Sequence, residues 1–189
     1  RPAGLFETLT VRDVDRATLV VQYPAAIETE GMRMAHQTDP RMHSAEHLLN
    51  QAMVRLFGCG RCFTAHLGRK KSKCDYAFDR AVTDDEIVAI ETLVNRAIKA
   101  DLSVAASMVS RETAERQYDV GKLPAEVTGD LRIIHMGDFD ACPCIGPHVG
   151  STGEIGRFRI TTTSFADGVL RIRFKLDPPS AVAASQPSR

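Results

Sequence analysis

The chain has 189 residues, of which 43% are hydrophobic, and equal numbers of acidic and basic residues give it a formal net charge of zero. This length and hydrophobic content are enough for one globular domain, or for one domain with a small extension. A net charge of zero excludes binding that depends on the overall charge of the protein, so a nucleic acid would have to bind a local basic patch. No apolar run is long enough to span a membrane. Five cysteines, two of them in a metal-type motif, predict a reducing, cytoplasmic compartment.

Three regions follow from composition and pattern. Residues 1–36 contain two predicted strands and form an N-terminal β extension, residues 37–176 form a metal-binding domain, and residues 177–189 are a Pro-, Ser- and Ala-rich tail that we expect to be disordered. The chain begins Arg1-Pro2 without a methionine, which indicates a trimmed chain, a processed product or a piece of a longer protein.

Within the central region, the first predicted helix runs from His43 to Phe57 and ends before Gly58, and its apolar residues recur at helical spacing. Thr83 and Glu86 form a predicted capping box for a second long helix that ends near Ala100. The other predicted elements are a short helix at 111–118 and strands at 64–67, 73–78, 104–109, 131–136, 158–162 and 170–176. This order predicts an α+β fold in which a mostly antiparallel sheet packs against two longer helices.

Two pairs of metal-ligand residues stand far apart in the chain. His43 and His47 lie one turn apart on the first helix, and Cys144 and His148 lie on a rigid Pro- and Gly-rich connection between two predicted strands. Either pair alone is weak evidence for a metal site, since two histidines on a helix are more often surface residues. Together they supply the number and kind of ligands that a tetrahedral zinc ion takes.

Three segments carry a resemblance to a known family. HSAEHLLNQAMVRLFG, CDYAFDRAVTDDEIVAIETLVNRAI and GDFDACPCIGPHVGSTGEIGRFRITTTSFADGVLRIRF occur in this order between Met42 and Phe174. They resemble the editing (second additional) domain of alanyl- and threonyl-tRNA synthetases, which also occurs as free-standing alanyl-type deacylases. The resemblance implies that Zn²⁺ is the cofactor, that His43, His47, Cys144 and His148 are its ligands, and that the first two histidines are catalytic.

The resemblance also implies an activity, the hydrolysis of a mischarged aminoacyl-tRNA that carries serine or a related hydroxylated amino acid. Zinc would act as a Lewis acid, lower the pKa of bound water to about 7, or anchor the substrate amine. In the threonyl branch, editing without a tightly held metal would leave proton transfer to the histidines. The TGEIG run is similar to the alanyl branch and Gly146-Pro147-His148-Val149 to the threonyl branch, so the edited amino acid stays open.

Further site residues follow from the same resemblance. Thr64 and His66 lie where the family places its substrate pocket, and Cys142 stands where the threonyl branch has an aspartate. Cys142 either adds a thiolate near the metal or fills a small apolar space, and we favour the second. The densest candidate patch for the tRNA acceptor end consists of Arg69, Lys70, Lys71 and Lys73.

Three other interpretations remain open at this point. The domain can be a non-catalytic, zinc-binding accessory part of a larger enzyme, such as a pyridoxal-phosphate threonine transaldolase. The string from His43 to His47 also matches H-x-x-E-H, the inverted zinc-protease motif, in which Glu46 would be the general base. Finally, Cys59, Cys62, His66 and Cys74 suggest a second zinc site, but their spacing fits no common zinc finger, and we favour reduced, packed cysteines.

Overall fold

The computed structural model describes residues 38–121 and 129–178, and these residues form an α+β fold. The described helices are α1 (Pro40–Phe57), α2 (Asp84–Lys99) and α3 (Arg111–Gln117), and a 3₁₀-helix covers Thr152–Ile155. The described strands are β1 (Thr64–Leu67), β2 (Ser72–Ala77), β3 (Val104–Val109), β4 (Leu131–Met136), β5 (Asp140–Pro143), β6 (Arg157–Ala166) and β7 (Val169–Asp177). None of the helices described is both long and apolar enough to cross a bilayer.

Helix α1 begins three residues earlier than its apolar pattern predicts. The side chain of Asp39 accepts a hydrogen bond from the backbone N–H of Arg41, and Pro40 occupies the first turn, where a missing N–H costs nothing. The helix ends at Gly58, whose φ of 63° closes the last turn in the left-handed region. Ten of its side chains are buried, His47 and Asn50 among them, so α1 is more enclosed than a helix with one apolar stripe.

Helix α2 begins with the predicted capping box. The side chain of Thr83 accepts from the Glu86 backbone, and the Glu86 side chain accepts from the Thr83 backbone. Asn95, in the third turn, donates to the carbonyl of Phe158 and accepts from the backbone N–H of the same residue. These two hydrogen bonds join the helix to the start of β6 and set its position on the sheet.

The strands form two antiparallel sheets, where the sequence pattern predicts one mostly antiparallel sheet. The larger sheet has the order β1-β2-β7-β6, and the smaller one has the order β3-β4-β5. The predicted α+β class and antiparallel pairing are confirmed. Alternation along β7 places Leu170, Ile172 and Phe174 in the core and leaves Arg171 and Arg173 on the other face.

The larger of two hydrophobic clusters in the described residues lies beneath α1 and α2. Its buried side chains come from both helices and from both sheets, and they include Leu48, Met53, Ile90, Tyr76 and Phe158. The predicted N-terminal β extension (1–36) and nearly all of the predicted tail (177–189) lie outside the described residues. The described residues therefore belong to the predicted metal-binding region. In this region α1 packs against residues of both sheets.

Candidate metal centre

The structure brings His43, His47, Cys144 and His148 together. One ligand atom from each side chain lies within 4.8 Å of those of the other three. The thiol sulfur of Cys144 is 3.3 Å from Nε2 of His43 and 3.4 Å from Nε2 of His148. Zinc bonds of about 2.0–2.3 Å place tetrahedral ligand atoms roughly 3.3–3.8 Å apart. The four donors therefore fit a zinc ion in number, kind and spacing.

Each of the three imidazoles is held through its other ring nitrogen. Nδ1 of His43 lies 3.2 Å from the carbonyl oxygen of Pro147, and Nδ1 of His148 lies 3.2 Å from the hydroxyl of Ser44. Nδ1 of His47 lies 3.2 Å from a carboxylate oxygen of Asp140. Metal-binding histidines are commonly oriented in this way, because a partner on one nitrogen fixes the ring and leaves the other nitrogen for the ion.

The bend that carries the second pair is fixed by the smaller sheet and by α1. The backbone N–H of Cys144 donates to the carbonyl of Arg132, and the Arg132 guanidinium donates to the carbonyls of Cys144 and Gly146. On the far side of the bend, the backbone N–H of Val149 donates to the hydroxyl of Ser44 on α1. The bend and the helix are therefore joined on both sides of the cluster.

Gly146 leaves the space that the His43 ring occupies. A Cβ atom at this position would overlap the Cε1 atom of the ring. We expect Gly146→Ala to push the His43 ring out of the cluster and to weaken zinc binding by more than the factor of about 10–100 that outer partners contribute, because a direct ligand is displaced. Competition with a chromogenic chelator would measure the change, with Gly60→Ala as the control, since no atom lies within 4 Å of a Cβ there. Equal zinc affinities for the two variants would contradict this placement of His43.

For two of the four donors, Cys144 and His148, the electrostatics favour the protonation states that bind metal. Burial alone would raise the pKa of the Cys144 thiol, but hydrogen bonds with His148, His43 and His47 lower this pKa to about 2. Burial lowers the pKa of His148 to about 4, against the opposing hydrogen bond to Cys144. A thiolate and a neutral imidazole are the forms in which these side chains coordinate a cation.

His47 belongs to a buried chain of charges. Burial opposes a charged imidazole, but hydrogen bonds with Asp140 and Cys144 raise the pKa of His47 well above its usual value. The other oxygen of Asp140 accepts from Nη2 of Arg61, and the side chains of Asp140 and Arg61 are 1% and 12% exposed. A divalent cation at the cluster would take the place of the His47 proton, since metal binding releases protons from its ligands.

Comparison with known proteins supports the relationship that the motifs indicate. Residues 131–173 match the family described as the threonyl and alanyl tRNA synthetase second additional domain. The chain carries this editing-type domain. It is also 38% identical over 139 residues to the alanine–tRNA ligase of Francisella philomiragia, and 34% identical over 134 residues to that of Coxiella burnetii. A third alanine–tRNA ligase, from Pyrobaculum neutrophilum, is 34% identical over 151 residues.

These alignments include most of this chain but little of each ligase. They cover 69%, 70% and 71% of the chain, and 15%, 16% and 16% of the respective ligases. The similarity therefore concerns one region of the ligases, the region that corresponds to the editing-type domain.

Two residues of the editing-type domain, Asp140 and Arg61, were not predicted from the sequence as part of the site. Asp140 lies 93 residues from His47, and Arg61 lies 79 residues from Asp140. The one local signal was an aspartate four residues before Cys144 in the predicted connection between two strands, which is too common to indicate a role. Arg61 sits between Gly60 and Cys62, in a segment with no regular pattern.

The other predicted site residues lie at different distances from the cluster. Cys142, on β5, is close enough for the charges of His47 and Arg61 to act on it, although burial raises the pKa of its thiol. Thr64 and His66 are exposed on β1. His66 lines a cavity of about 340 Å³ together with Lys70, Lys71, Lys73 and Arg173, rather than joining the four donors.

Two further motifs form hydrogen bonds outside the cluster of four donors. The TGEIG run forms the 3₁₀-helix, and the hydroxyl of Thr152 donates to the carbonyl of Ala97 and accepts from the backbone N–H of Leu102. Glu46 lies on a neighbouring face of α1, where its carboxylate accepts from Asn50 and Cys62. This position does not suit the general base of a zinc protease, because the glutamate and the histidines face different neighbours.

Proposed function

We propose that this chain hydrolyses the ester that joins a wrong amino acid to the terminal ribose of a tRNA. The substrate class is a tRNA mischarged with serine or a related hydroxylated amino acid. The observation that carries the proposal is the cluster of His43, His47, Cys144 and His148, with three imidazoles oriented through their Nδ1 atoms. Similarity to the editing-type domain of alanine–tRNA ligases connects this cluster with tRNA.

The cluster has the parts that hydrolysis of an activated ester requires. Zinc held by three of the four side chains would supply a Lewis acid for the ester carbonyl, because a catalytic zinc ion needs one position that no protein ligand fills. His43 and His47 orient the reacting groups, and the His47–Asp140 contact holds a proton on Nδ1 of the imidazole. Cys142 is the proposed pocket residue nearest this centre, and Thr64 and His66 are proposed to contact substrate farther out along β1.

A basic surface beside β1 is proposed to bind the acceptor end of the tRNA. The turn between β1 and β2 exposes Arg69, Lys70 and Lys71. Lys73 on β2 lies opposite Arg173 on the adjacent strand β7. The residues that line the adjoining cavity are His66, Gly68, Lys70, Lys71, Ser72, Lys73 and Arg173, none of which is acidic. Phosphate groups bind such a surface without sequence preference.

Replacing both Lys70 and Lys71 by alanine is expected to weaken tRNA binding at low salt. Each lost phosphate contact reduces the slope of log affinity against log salt by about 0.7–0.9, so the double variant should lose roughly 1.5 from the slope. Filter binding at several salt concentrations measures this change. The matched control is the removal of Arg96 and Lys99, two cations in the last turn of α2. An equal effect in both double variants would count against a specific surface.

The proposed activity is tested with charged tRNAs. Purified protein is incubated with Ser-tRNA(Ala), Ser-tRNA(Thr) and the correctly charged Ala-tRNA(Ala) and Thr-tRNA(Thr), and the released amino acid is measured. We expect release from at least one mischarged tRNA and little release from the correctly charged controls. Wild-type protein that contains zinc but releases no amino acid from any of these tRNAs would refute the deacylase proposal and favour the accessory role.

A further inference from the structure

A second group of metal-ligand side chains lies beside a neighbouring face of α1. Glu46 from the helix, Cys62 from the segment before β1, and Cys74 from β2 each offer one ligand atom, and these atoms lie within 4.8 Å of one another. All three residues are buried. None of them belongs to the His43, His47, Cys144 and His148 cluster, which uses the neighbouring face of the helix.

The spacing within this group is similar to that of the first cluster. Sγ of Cys62 lies 3.3 Å from a carboxylate oxygen of Glu46, which equals the distance between Sγ of Cys144 and Nε2 of His43. Two thiolates and a carboxylate are ligands that zinc accepts at bond lengths of about 2.0–2.3 Å. The donors therefore need only small shifts to share one ion.

A shell of hydrogen bonds positions the donors. Asn50 donates to the Glu46 carboxylate over 2.6 Å, and the Asn50 side-chain oxygen accepts from the backbone N–H of Cys62 and from the hydroxyl of Tyr76. Such outer partners hold ligands in place and raise metal affinity. Tyr76 is joined to the group through its hydrogen bond to Asn50.

The local electrostatics favour a cation. Glu46, Cys62 and Cys74 are 7%, 0% and 0% exposed, so bulk water does not screen any negative charge on their side chains. A divalent ion would offset the charge of the carboxylate and of the deprotonated thiols.

We propose that Glu46, Cys62 and Cys74 bind a second zinc ion, which joins α1 to the first hairpin of the larger sheet. This site is independent of the proposed deacylase function, and it replaces the combination of Cys59, Cys62, His66 and Cys74 that the sequence suggests. His66 is exposed on β1, and Cys59 lies in the wall of a different cavity with Phe57 and Phe78.

Zinc content per chain tests the proposal. Protein purified with a phosphine reductant is analysed by plasma mass spectrometry, and we expect about two zinc ions per wild-type chain. Cys74→Ser and the isosteric Glu46→Gln should each reduce the content to about one. Cys59→Ser is the matched control, and its content should stay at about two. His148→Ala should lose the other ion and keep the one in this group.

Cobalt substitution provides a second readout that does not depend on activity. Three thiolates would contribute to the near-ultraviolet charge-transfer band, namely those of Cys144, Cys62 and Cys74. Replacing both Cys62 and Cys74 by serine should reduce this band by about two thirds, whereas Cys59→Ser should leave it unchanged. If a serine variant does not fold, Glu46→Gln retains the shape of the side chain and still tests the zinc content.

The proposal is overturned if Cys74→Ser and Glu46→Gln both keep the zinc content of the wild type. Three buried residues joined by hydrogen bonds would then be a polar part of the core. A different result separates the two proposals: zinc that is lost in Cys74→Ser but not in His148→Ala would support this site and contradict the first one.

Discussion

Cys144→Ala is expected to lose zinc from the histidine cluster and to abolish the proposed deacylation. The variant removes the only thiol among the four donors and leaves three imidazoles, and the hydrogen bond with Asp140 raises the pKa of one of them, His47, against the effect of burial. Loss of a direct ligand should weaken zinc binding by more than the factor of about 10–100 that outer partners contribute. Zinc affinity by chelator competition and amino acid release from mischarged tRNA measure the two effects.

The matched control for this experiment is Cys59→Ala, because Cys59 is a half-buried thiol outside the four-donor cluster. His47→Ala should behave like Cys144→Ala. Wild-type protein treated with a chelator should also lose activity and regain it when zinc is added. If Cys144→Ala keeps full activity, or if the chelated protein does, the reaction follows a histidine-only route in which zinc has no part.

Arg61→Met is expected to destabilise the fold and to weaken zinc binding at the same time. Asp140 would stay buried with His47 as its remaining partner, so the loss of stability should be smaller than the roughly 3–5 kcal/mol that an uncompensated buried charge costs. The same carboxylate orients His47, so zinc affinity should fall by roughly 10- to 100-fold. Urea unfolding of the zinc-free protein and chelator competition measure the two changes separately.

The double variant Arg61→Met/Asp140→Leu distinguishes charge burial from orientation of His47. It removes both members of the ion pair, so stability should recover relative to Arg61→Met, because no unpaired charge remains buried. Zinc affinity should not recover, since His47 then lacks its carboxylate partner. Arg80→Met, which breaks the exposed pair with Glu86, is the control and should change neither quantity appreciably. Recovery of zinc affinity in the double variant would show that Asp140 does not position the imidazole.

Most of the secondary structure could be predicted because its signals are local. The capping box of Thr83 and Glu86 marks the start of α2, and alternation along β7 marks its buried face. The start of α1 was predicted too late, because the apolar stripe begins after the Asp39 cap and Pro40. The division of the strands into two sheets depends on pairing between distant segments, which no local pattern specifies.

The candidate site shows the same division between local and distant information. The spacing of His43 and His47, like that of Cys144 and His148, indicates metal ligands in the sequence alone. No such spacing marks their partners: Asp140 and Arg61 become important only when the fold brings β5 against α1. The burial of Glu46 could not be predicted either, because α1 is enclosed by both sheets and not by one.

Anomalous diffraction from crystals of zinc-loaded protein, recorded at the zinc absorption edge, tests the central claim most directly. We expect a peak bonded to Sγ of Cys144 and to one nitrogen each of His43, His47 and His148, at distances of about 2.0–2.3 Å. Zinc-loaded protein with no peak among these four side chains would contradict the account.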